Sequence, residues 1–412
     1  MGNCCPNNEL SEDMNIPSLN LSKDIREKLS SIDFEHSSHF KSKSEILADY
    51  NVIQQIGSGL FSRVYFAIDV HNKKCAIKMI KKKHFATKET IQKILVEKEI
   101  LRIIDHDNIL KLCRSMQTHS RIYFVLEYAE KGNLLNVLNV KKRLTIDEIR
   151  VIAAQIIDAL LYMHSKGIIY GDLKAENILL DERGIVKLCD FNLSGTRSLL
   201  NDTLQGTVCY LAPEIIEGRS RTPKSDFWSL GVLVYLLYFR KYPFKNSNQT
   251  ELFFNILNRN IELDSKDNKS PLSFRQFILD LMTKDHRKRI GNNMNEFVCH
   301  PFFKNFDWEH FKEDPRNFTY IEGIVSIEEK PTKKGSNESF HDELQTLKET
   351  QTNNFVYNIP DFTYDDRNDL IMKQKFKLEN RDSSMNYQSF KENGSLKPEE
   401  TKVDEVQSND EK

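Results

Sequence analysis

The residues best suited to chemistry lie in two short stretches, 170–180 and 187–192. Asp172 is a carboxylate that could accept a proton from an incoming hydroxyl, and Asn177 and Asp190 supply the hard oxygen ligands that Mg²⁺ prefers. Lys174 could reach a phosphate and offset charge as it develops. Together these groups suit phosphoryl transfer, which needs positioned charge more than covalent work by the protein. Turn capping could explain each residue alone, but not their joint order and spacing.

A second set of residues, closer to the N-terminus, could bind the phosphates of a nucleotide. Gly57 and Gly59 lie between two strand-like runs, where small residues let backbone N–H groups approach phosphate oxygens closely. Such a glycine pair is by itself more often a tight turn, and surface charge would explain Lys78 and Glu97 in isolation. The order of the set favours function, because Lys78 could hold the α- and β-phosphates while Glu97 fixes its long side chain.

Hydrophobic patterns predict the elements that must position these residues. Residues 64–68 and 75–80 read as strands joined by a polar turn at 71–74, so the first lobe should be rich in β-structure. One helix interrupts it, with an apolar stripe at helical spacing. The stripe consists of Ile91, Ile94, Leu95, Lys98 and Leu101.

After about residue 132 the pattern becomes helical. Thr145 and Glu148 form a capping box for a helix that runs to Ser165, and Gly167 supplies its stop. Residues 226–239 are apolar nearly all round, which places this second helix in the middle of the lobe. The predicted fold class is therefore α+β, with a small β-rich N-lobe at 50–127 and a larger, mostly helical C-lobe at 132–303.

Composition narrows the classes of protein to which the chain can belong. Its 412 residues allow two or three compact units, and 59 basic against 60 acidic residues give no reason to expect nucleic acid as a partner. The seven cysteines show neither a disulfide framework nor zinc-ligand spacing, so we expect reduced thiols in an intracellular protein. No apolar run is long enough for a membrane span, and no secretory leader is visible.

In the order and spacing of these motifs, residues 50–303 resemble a eukaryotic protein kinase. Lys174 resembles the serine/threonine class rather than the tyrosine class, and residues 203–214 are similar to the activation segment of AGC kinases. The resemblance implies the two-lobed protein kinase fold and an enzyme that uses ATP and Mg²⁺. It also implies transfer of the γ-phosphate to serine or threonine of a protein substrate, by a chain that we expect to be a monomer.

Individual residues receive roles in this interpretation. Asp172 and Lys174 would be catalytic, and Asn177 and Asp190 would bind the metal. We assign the nucleotide site to Ile56, Gly57, Ser58, Gly59, Val64, Ala76, Lys78, Glu97, Glu127, Ala129 and Leu179.

Three further contacts follow from the resemblance alone. Glu214 would pair with Arg289 and tie the activation segment to the second lobe, and Asp226 would brace the backbone of the catalytic loop. Four residues would stack as the regulatory spine of the active state, although each is also an ordinary core residue. They are Leu101, Leu112, Tyr170 and Phe191.

The flanks of the kinase-like region differ from it in composition. Residues 1–49 form a polar leader with one amphipathic patch at 19–32, and residues 371–412 are charged; we expect both to be disordered. Residues 304–370 resemble the C-terminal tail of AGC kinases, and 359–364 resemble its hydrophobic motif. Phe362 is then expected to anchor beside the Glu97 helix and Thr363 to be a candidate phosphosite, the alternative being a chance aromatic cluster.

One departure from the family concerns the switch in the activation segment. Gly171 replaces the arginine that usually precedes the catalytic aspartate and joins it to a phosphorylated activation segment. A phosphate on Thr203 would therefore lack its main bidentate partner. We expect phosphorylation of Thr203 to be only weakly coupled to activity.

Other departures affect the metal triplet and substrate recognition. Asn192 replaces the usual glycine after Asp190 and Phe191, and asparagine tolerates left-handed backbone better than most residues. The YANK subgroup of AGC kinases shares this triplet and an N-terminal Met-Gly, but it keeps the catalytic-loop arginine. Asn133 and Leu236 replace carboxylates that favour basic substrates, whereas Glu176 is retained, so no strong basic consensus is expected.

The first residues could carry lipid. Gly2 would be exposed for myristoylation after removal of Met1, although Pro6 breaks the usual preference. Because one myristoyl chain binds membranes only marginally, palmitoylation of Cys4 and Cys5 would be the second signal. The prediction is a cytoplasmic protein that acylation could bring to a membrane surface; the alternative is an ordinary disordered start.

Two other classes of function compete with the enzyme. A pseudokinase scaffold would explain Ser62, Gly171 and Asn192, each of which departs from the family pattern. The intact set of phosphate, metal and proton-handling residues argues against it. A nucleotide-binding metabolic enzyme has no small-substrate motif to support it.

Overall fold

The computed structural model describes residues 47–59, 62–84, 87–141, 144–196, 206–245, 248–263, 270–313 and 362–365. The predictions for the leader up to residue 46, for Thr203, and for all of the C-terminal flank except 362–365 and 304–313 fall outside these ranges. The chain divides into two units, Met1–Thr363 and Tyr364–Lys412. In the second unit the described residues, Tyr364 and Asp365, form a short strand.

The first lobe is built on five antiparallel strands that lie in the order β1, β2, β3, β5, β4. The predicted strands at 64–68 and 75–80 are confirmed as parts of β2 and β3. β3 is buried along almost its whole length, which explains its continuous apolar run. The strands are β1 (Tyr50–Ser58), β2 (Ser62–Asp69), β3 (Lys74–Lys81), β4 (Leu112–Gln117) and β5 (Arg121–Glu127).

Helix α1 (Lys88–Ile103) lies between β3 and β4 in the chain. Thr87 caps its first turn, since its hydroxyl accepts a hydrogen bond from the main-chain N–H of Thr90. The predicted stripe is confirmed: all five of its side chains are at least 96% buried, including the lysine. Residues 94–101 of α1 are all buried, so this part of the helix is enclosed on every side and Glu97 lies in the interior.

The second lobe is mainly helical and, in its described part, contains a short β-hairpin. The hairpin pairs β6 (Ile178–Leu180) with β7 (Val186–Leu188). Its α-helices are α2 (Leu134–Lys141), α3 (Ile146–Ser165), α4 (Pro213–Ile216), α5 (Pro223–Phe239), α6 (Gln249–Asn258), α7 (Leu272–Leu281), α8 (Met294–Val298) and α9 (Trp308–Glu313). Short 3₁₀ helices occur at Lys82–His84 in the first lobe and at Ala175–Asn177, Val208–Tyr210 and Pro301–Phe303 in the second.

The two helices predicted for this lobe are present. In α3 the Thr145 hydroxyl accepts from the N–H of Glu148, and the Glu148 carboxylate accepts from the N–H of Thr145, so the capping box is confirmed. α5 begins three residues earlier than predicted, at Pro223, because proline at the first helical position needs no N–H partner. Among the described residues, no helix has both the length and the apolar composition that crossing a membrane requires.

Candidate active site

A cleft between the lobes contains a cavity of about 370 Å³, which is within the size range of small-molecule sites. Its walls come from β1, β2, β3 and α1 of the first lobe and from the segments around β6 and β7 of the second. All eleven residues assigned to the nucleotide line it, as do both residues assigned to the metal. They are Ile56, Gly57, Ser58, Gly59, Val64, Ala76, Lys78, Glu97, Glu127, Ala129, Leu179, Asn177 and Asp190.

Lys78 on β3 and Glu97 on α1 form a buried ion pair in the wall of this cavity. Nζ of Lys78 lies 2.7 Å from Oε1 of Glu97 and 3.4 Å from Oδ1 of Asp190. Burial alone would lower the pKa of Lys78, but the carboxylates of Glu97 and Asp190 outweigh it and raise this pKa above its ordinary value. The ammonium group is thus charged at neutral pH and held where a phosphate can reach it.

The metal triplet has an unexpected backbone. The left-handed backbone that asparagine tolerates is not used at Asn192: Asp190 has the positive φ, 61°, and Asn192 does not. The Asn192 side chain instead donates from Nδ2 to Oδ1 of Asp190 at 2.5 Å, a bond that glycine could not make. Asn192 therefore helps to orient the carboxylate assigned to the metal.

Asp172 lies at the centre of a small polar network in the catalytic loop. Its Oδ2 accepts hydrogen bonds from Nζ of Lys174 at 2.6 Å and from Nδ2 of Asn177 at 2.9 Å. Its Oδ1 has a longer contact, 3.4 Å, with the hydroxyl of Thr207. Lys174 also donates to that hydroxyl, at 3.1 Å. Sequence reasoning missed Thr207, whose only signal was its place within the activation-segment resemblance.

The predicted brace at Asp226 is confirmed. The main-chain N–H of Gly171 donates to Oδ1 of Asp226 at 2.8 Å, and that of Tyr170 donates to Oδ2 at 2.9 Å. Nε2 of His164 lies 2.8 Å from the same Oδ2. Because Asp226 is buried at the start of α5, the most apolar helix of the lobe, the catalytic loop is attached to the rigid centre of the domain.

Of the predicted spine, the structure brings the rings of Tyr170 and Phe191 together edge-to-face, with centroids 5.5 Å apart. Leu101 and Leu112 are also buried. The phenol of Tyr170 donates to the main-chain oxygen of Cys189. Burial raises the pKa of this phenol well above its usual range, so it stays a donor at all physiological pH. Cys189, which precedes the metal triplet, is thus held by a side chain of the catalytic loop.

Glu214 and Arg289 make the predicted ion pair, which is buried and bidentate. Nη1 of Arg289 lies 2.7 Å from Oε1 of Glu214, and Nη2 lies 2.9 Å from Oε2. Arg289 also donates to the main-chain oxygens of Thr283 and Lys224. Burial alone would raise the pKa of Glu214, but the hydrogen bonds and charge of Arg289 lower it below its ordinary value. The end of the activation segment is therefore firmly attached to the second lobe.

Phe362 is fully buried against the first lobe, on the side of α1 and β5. Its ring meets that of Phe124 edge-to-face at 5.6 Å, and Nζ of Lys98 lies 5.4 Å from its centroid. The hydroxyl of Ser115 donates to its main-chain oxygen at 2.6 Å. Thr363, the next residue, is exposed. The segment thus contacts the same helix that carries Glu97.

Glu127, assigned to the nucleotide, lies in the cavity wall but is engaged by other residues of the protein. The carboxylate of Glu127 accepts from the main-chain N–H of Lys111 at 2.8 Å and pairs with Lys187 at 3.2 Å, so its side chain supports the chain around the cleft. Sequence reasoning also missed several lining residues that had no signal beyond an ordinary apolar or polar pattern. They include Leu110, Leu126, Tyr128, Asn136 and Cys189.

Comparison with known proteins places this geometry in a family. The family model described as "Protein kinase domain" matches residues 50–303. The chain is 33% identical over 271 residues to cAMP-dependent protein kinase type 3 of Saccharomyces cerevisiae. It is 35% identical over 277 residues to serine/threonine-protein kinase sgk-1 of Caenorhabditis elegans, and 33% identical over 279 residues to RAC serine/threonine-protein kinase of Drosophila melanogaster.

These matches cover 64%, 65% and 65% of this chain. They cover 66%, 58% and 44% of the relatives, so the chain spans less than two thirds of each. All three relatives are serine/threonine kinases of AGC type. The assembled cleft, the braced catalytic loop and the matched family model agree, and the chain belongs to the protein kinase family.

Proposed function

We propose that this protein transfers the γ-phosphate of ATP to serine or threonine hydroxyls of protein substrates. The observation that carries the proposal is the contact of Lys78 with both Glu97 and Asp190. These three residues come from β3, from α1 and from the segment after β7, so the phosphate-binding group and the metal ligand meet only when the lobes are correctly arranged. An arrangement of this kind serves phosphoryl transfer, where positioning supplies most of the catalysis.

The catalytic loop supplies a group for the proton of the substrate hydroxyl. Lys174 and Asn177 hold Oδ2 of Asp172, which leaves Oδ1, with its long contact to Thr207, as the oxygen for that proton. A carboxylate in hydrogen-bond reach of the hydroxyl would orient it and accept its proton. Lys174, held beside Asp172, would offset negative charge on the phosphate during transfer.

The residues of the cleft also fit Mg²⁺ and ATP, which kinase domains generally require. Because Nδ2 of Asn177 binds both the main-chain oxygen and Oδ2 of Asp172, its amide oxygen is the atom left for a cation. Asp190 provides a carboxylate, and both are hard oxygen ligands. When bound, the cation would neutralise phosphate charge. The apolar wall with Val64, Ala76 and the other lining residues would hold the adenine base of ATP.

The scaffold alternative depended on three unusual residues, and each has a place compatible with turnover. The main-chain oxygen of Ser62 accepts from the N–H of Gly59, which closes the described part of the glycine loop. Asn192 orients Asp190, and Gly171 is braced by Asp226. These contacts support the enzyme over the scaffold.

The test measures phosphate transfer from labelled ATP to a generic protein substrate. Wild type should be active, and Asp172→Ala should lose at least about a hundredfold in kcat, since a general base contributes 10²- to 10⁴-fold. Asp147→Ala is the matched control, because that carboxylate is exposed on the first turn of α3. No transfer by wild type would favour the scaffold. Equal transfer by wild type and Asp172→Ala would assign the activity to a contaminant.

We further propose that substrates need no strongly basic sequence. Leu236 is buried in α5, and Oδ1 of Asn133 accepts from the N–H of Asn136 at the start of α2, so neither offers a carboxylate to a substrate arginine. Glu176 keeps its carboxylate beside the cleft. Peptides with and without upstream arginine should differ less than about tenfold in kcat/KM; a larger preference would reject the idea.

Localisation and modification are separate proposals. We propose that Gly2, Cys4 and Cys5, which lie outside the described residues, carry acyl chains and attach the protein to a membrane surface. Gly2→Ala should move the protein to the soluble fraction.

Thr203→Ala should keep most of the activity; near-zero activity beside a robust wild type would contradict weak coupling. Thr363 is exposed and thus accessible to a modifying kinase.

A further inference from the structure

Arg221 lies between α4 and α5, and its side chain fills the space beside Gly171. It is 8% exposed, and its Nη1 donates to the main-chain oxygen of Gly171 at 2.6 Å. This oxygen belongs to the peptide that leads directly into Asp172. The N–H of Gly171 is bound by Asp226, so the two residues hold Gly171 through its donor and its acceptor.

Gly171 makes room for this guanidinium, and Gly206 lies close to it. Gly171 has φ of +81°, and a Cβ there would lie 2.6 Å from the main-chain oxygen of Leu193 and 3.0 Å from Nη1 of Arg221. Gly206, with φ of +116°, would place a Cβ 3.6 Å from Nη2 of the same arginine. Any side chain at position 171 would therefore compete with Arg221 for the same volume. The missing arginine and the one that is present are alternatives in space.

The electrostatic setting is consistent with a charged clamp. Burial lowers the pKa of Arg221, and the nearby carboxylates of Asp226 and Asp172 oppose this effect. A guanidinium ion stays protonated at physiological pH even when its pKa falls. The positive charge thus lies near both the catalytic aspartate and its brace, and close to Gly206 within the activation segment.

We propose that Arg221 is a positioning residue that holds the catalytic loop in place of the arginine absent at position 171. It reaches the loop from the segment just before α5, fixes the peptide entering Asp172, and lies beside Gly206. Because the fold itself supplies this clamp, its formation requires no phosphate on the activation segment. The inference rests on the proposed kinase activity, since it assigns a role within the same site.

The experiment uses the full chain and four variants. Arg221→Met removes the donors with little change in volume, Arg221→Lys keeps the charge, and Arg219→Met is the matched control, because Arg219 is exposed and pairs with Glu217. The measurements are kcat and KM for ATP with a generic protein substrate, the Kd of a fluorescent ATP analogue, and the thermal unfolding midpoint. Asp172→Ala gives the background rate.

Arg221→Met should lower kcat roughly ten- to a hundredfold, as expected when a catalytic group is slightly misplaced. KM for ATP and the Kd of the analogue should change less than about threefold, because Arg221 lies outside the lining of the nucleotide cavity. Arg221→Lys should restore part of kcat, since one ammonium donor can still reach Gly171. Arg219→Met should match wild type.

An active wild type with kcat unchanged in a folded Arg221→Met protein would overturn the clamp. If that variant fails to fold, Arg221→Lys decides: a lower kcat at unchanged analogue Kd supports the proposal, and an unchanged kcat overturns it. A merely structural role would lower the unfolding midpoint while leaving kcat of the folded protein intact. Wild type no faster than Asp172→Ala would end both the kinase proposal and the clamp.

Discussion

The ion pair of Glu214 with Arg289 and that of Glu97 with Lys78 are both buried, but their surroundings differ. Arg289 binds both carboxylate oxygens of Glu214. Lys78 binds only Oε1 of Glu97 and shares its ammonium with Asp190, while Oε2 of Glu97 is buried with no hydrogen-bond partner among the described residues. The first pair is saturated with partners. In the second pair, Oε2 of Glu97 is left without a partner beside the cavity.

The difference separates stability from function. A buried polar atom without a partner costs about 1–3 kcal/mol, so an unsaturated pair is a poor way to stabilise a fold. Such a pair is retained where a ligand or a rearrangement can bind its unpaired atoms, because that binding energy is then available for positioning. The saturated pair between Glu214 and Arg289 should therefore be needed mainly for folding, and the pair between Lys78 and Glu97 mainly for turnover.

Breaking the saturated pair should have the largest effect. Arg289→Met leaves the buried carboxylate of Glu214 without its partner, and the free energy of unfolding should fall by about 3–5 kcal/mol. Urea unfolding measures the change. Arg287→Met is the control, because that side chain is 80% exposed. A loss below about 1 kcal/mol would show that the pair is dispensable for folding.

Breaking the unsaturated pair should instead remove activity. Lys78→Met should lower kcat/KM on the order of 10²- to 10³-fold, the usual effect of removing one preorganised electrostatic partner. Stability should change less than in Arg289→Met, because burial already raises the pKa of Glu97, which can take up a proton when the lysine is gone. Lys74→Met, on the same strand but exposed, is the control. Unfolding as severe as in Arg289→Met would contradict the comparison.

A smaller change sharpens the saturated side. The hydroxyl of Ser225 donates to Oε1 of Glu214 at 3.0 Å, so Ser225→Ala should cost roughly 1.5–3 kcal/mol in the free energy of unfolding. The residue does not line the nucleotide cavity, and kcat at temperatures below the transition should remain at the wild-type value. Differential scanning fluorimetry combined with steady-state rates separates the two readouts. A fall in kcat without a fall in stability would argue against the assignment.

The smallest predicted effect concerns pH. The pKa of Glu214 in the folded protein lies below its ordinary value of 4.5, so its contribution to stability is complete at neutral pH and is lost as the pH falls through the folded-state pKa. The difference in unfolding free energy between wild type and Glu214→Gln should therefore be constant near neutrality and narrow below pH 4.5. A difference that widens on acidification would reverse the sign assigned to this pair.

Much of the fold could be predicted because its signals are local. The cap of α3 depends on Thr145 and Glu148, three residues apart, and the buried face of α1 follows from helical spacing. The site residues could be placed because their order along the chain is distinctive. Membership of the protein kinase family is confirmed by the match over residues 50–303.

The features that could not be predicted depend on contacts between distant residues. The clamp joins Arg221 to Gly171 across 50 positions, and neither residue indicates the other. The turn preference of Asn192 gave no sign of its role, because its side chain binds the carboxylate of Asp190. Backbone strain follows such contacts, so local propensity could not locate the positive φ at Asp190.

The burial of Phe362 determines when the first lobe can finish folding during synthesis. Its main-chain oxygen accepts from Ser115, which is 247 residues earlier in the chain. At a synthesis rate of about 5–20 residues per second, the ribosome needs roughly 12 to 50 seconds to cross that interval. The first lobe is therefore translated early but completed late. Until Phe362 has been synthesised, the apolar surface that receives it, next to the Glu97 helix, stays exposed on the nascent chain and is open to aggregation.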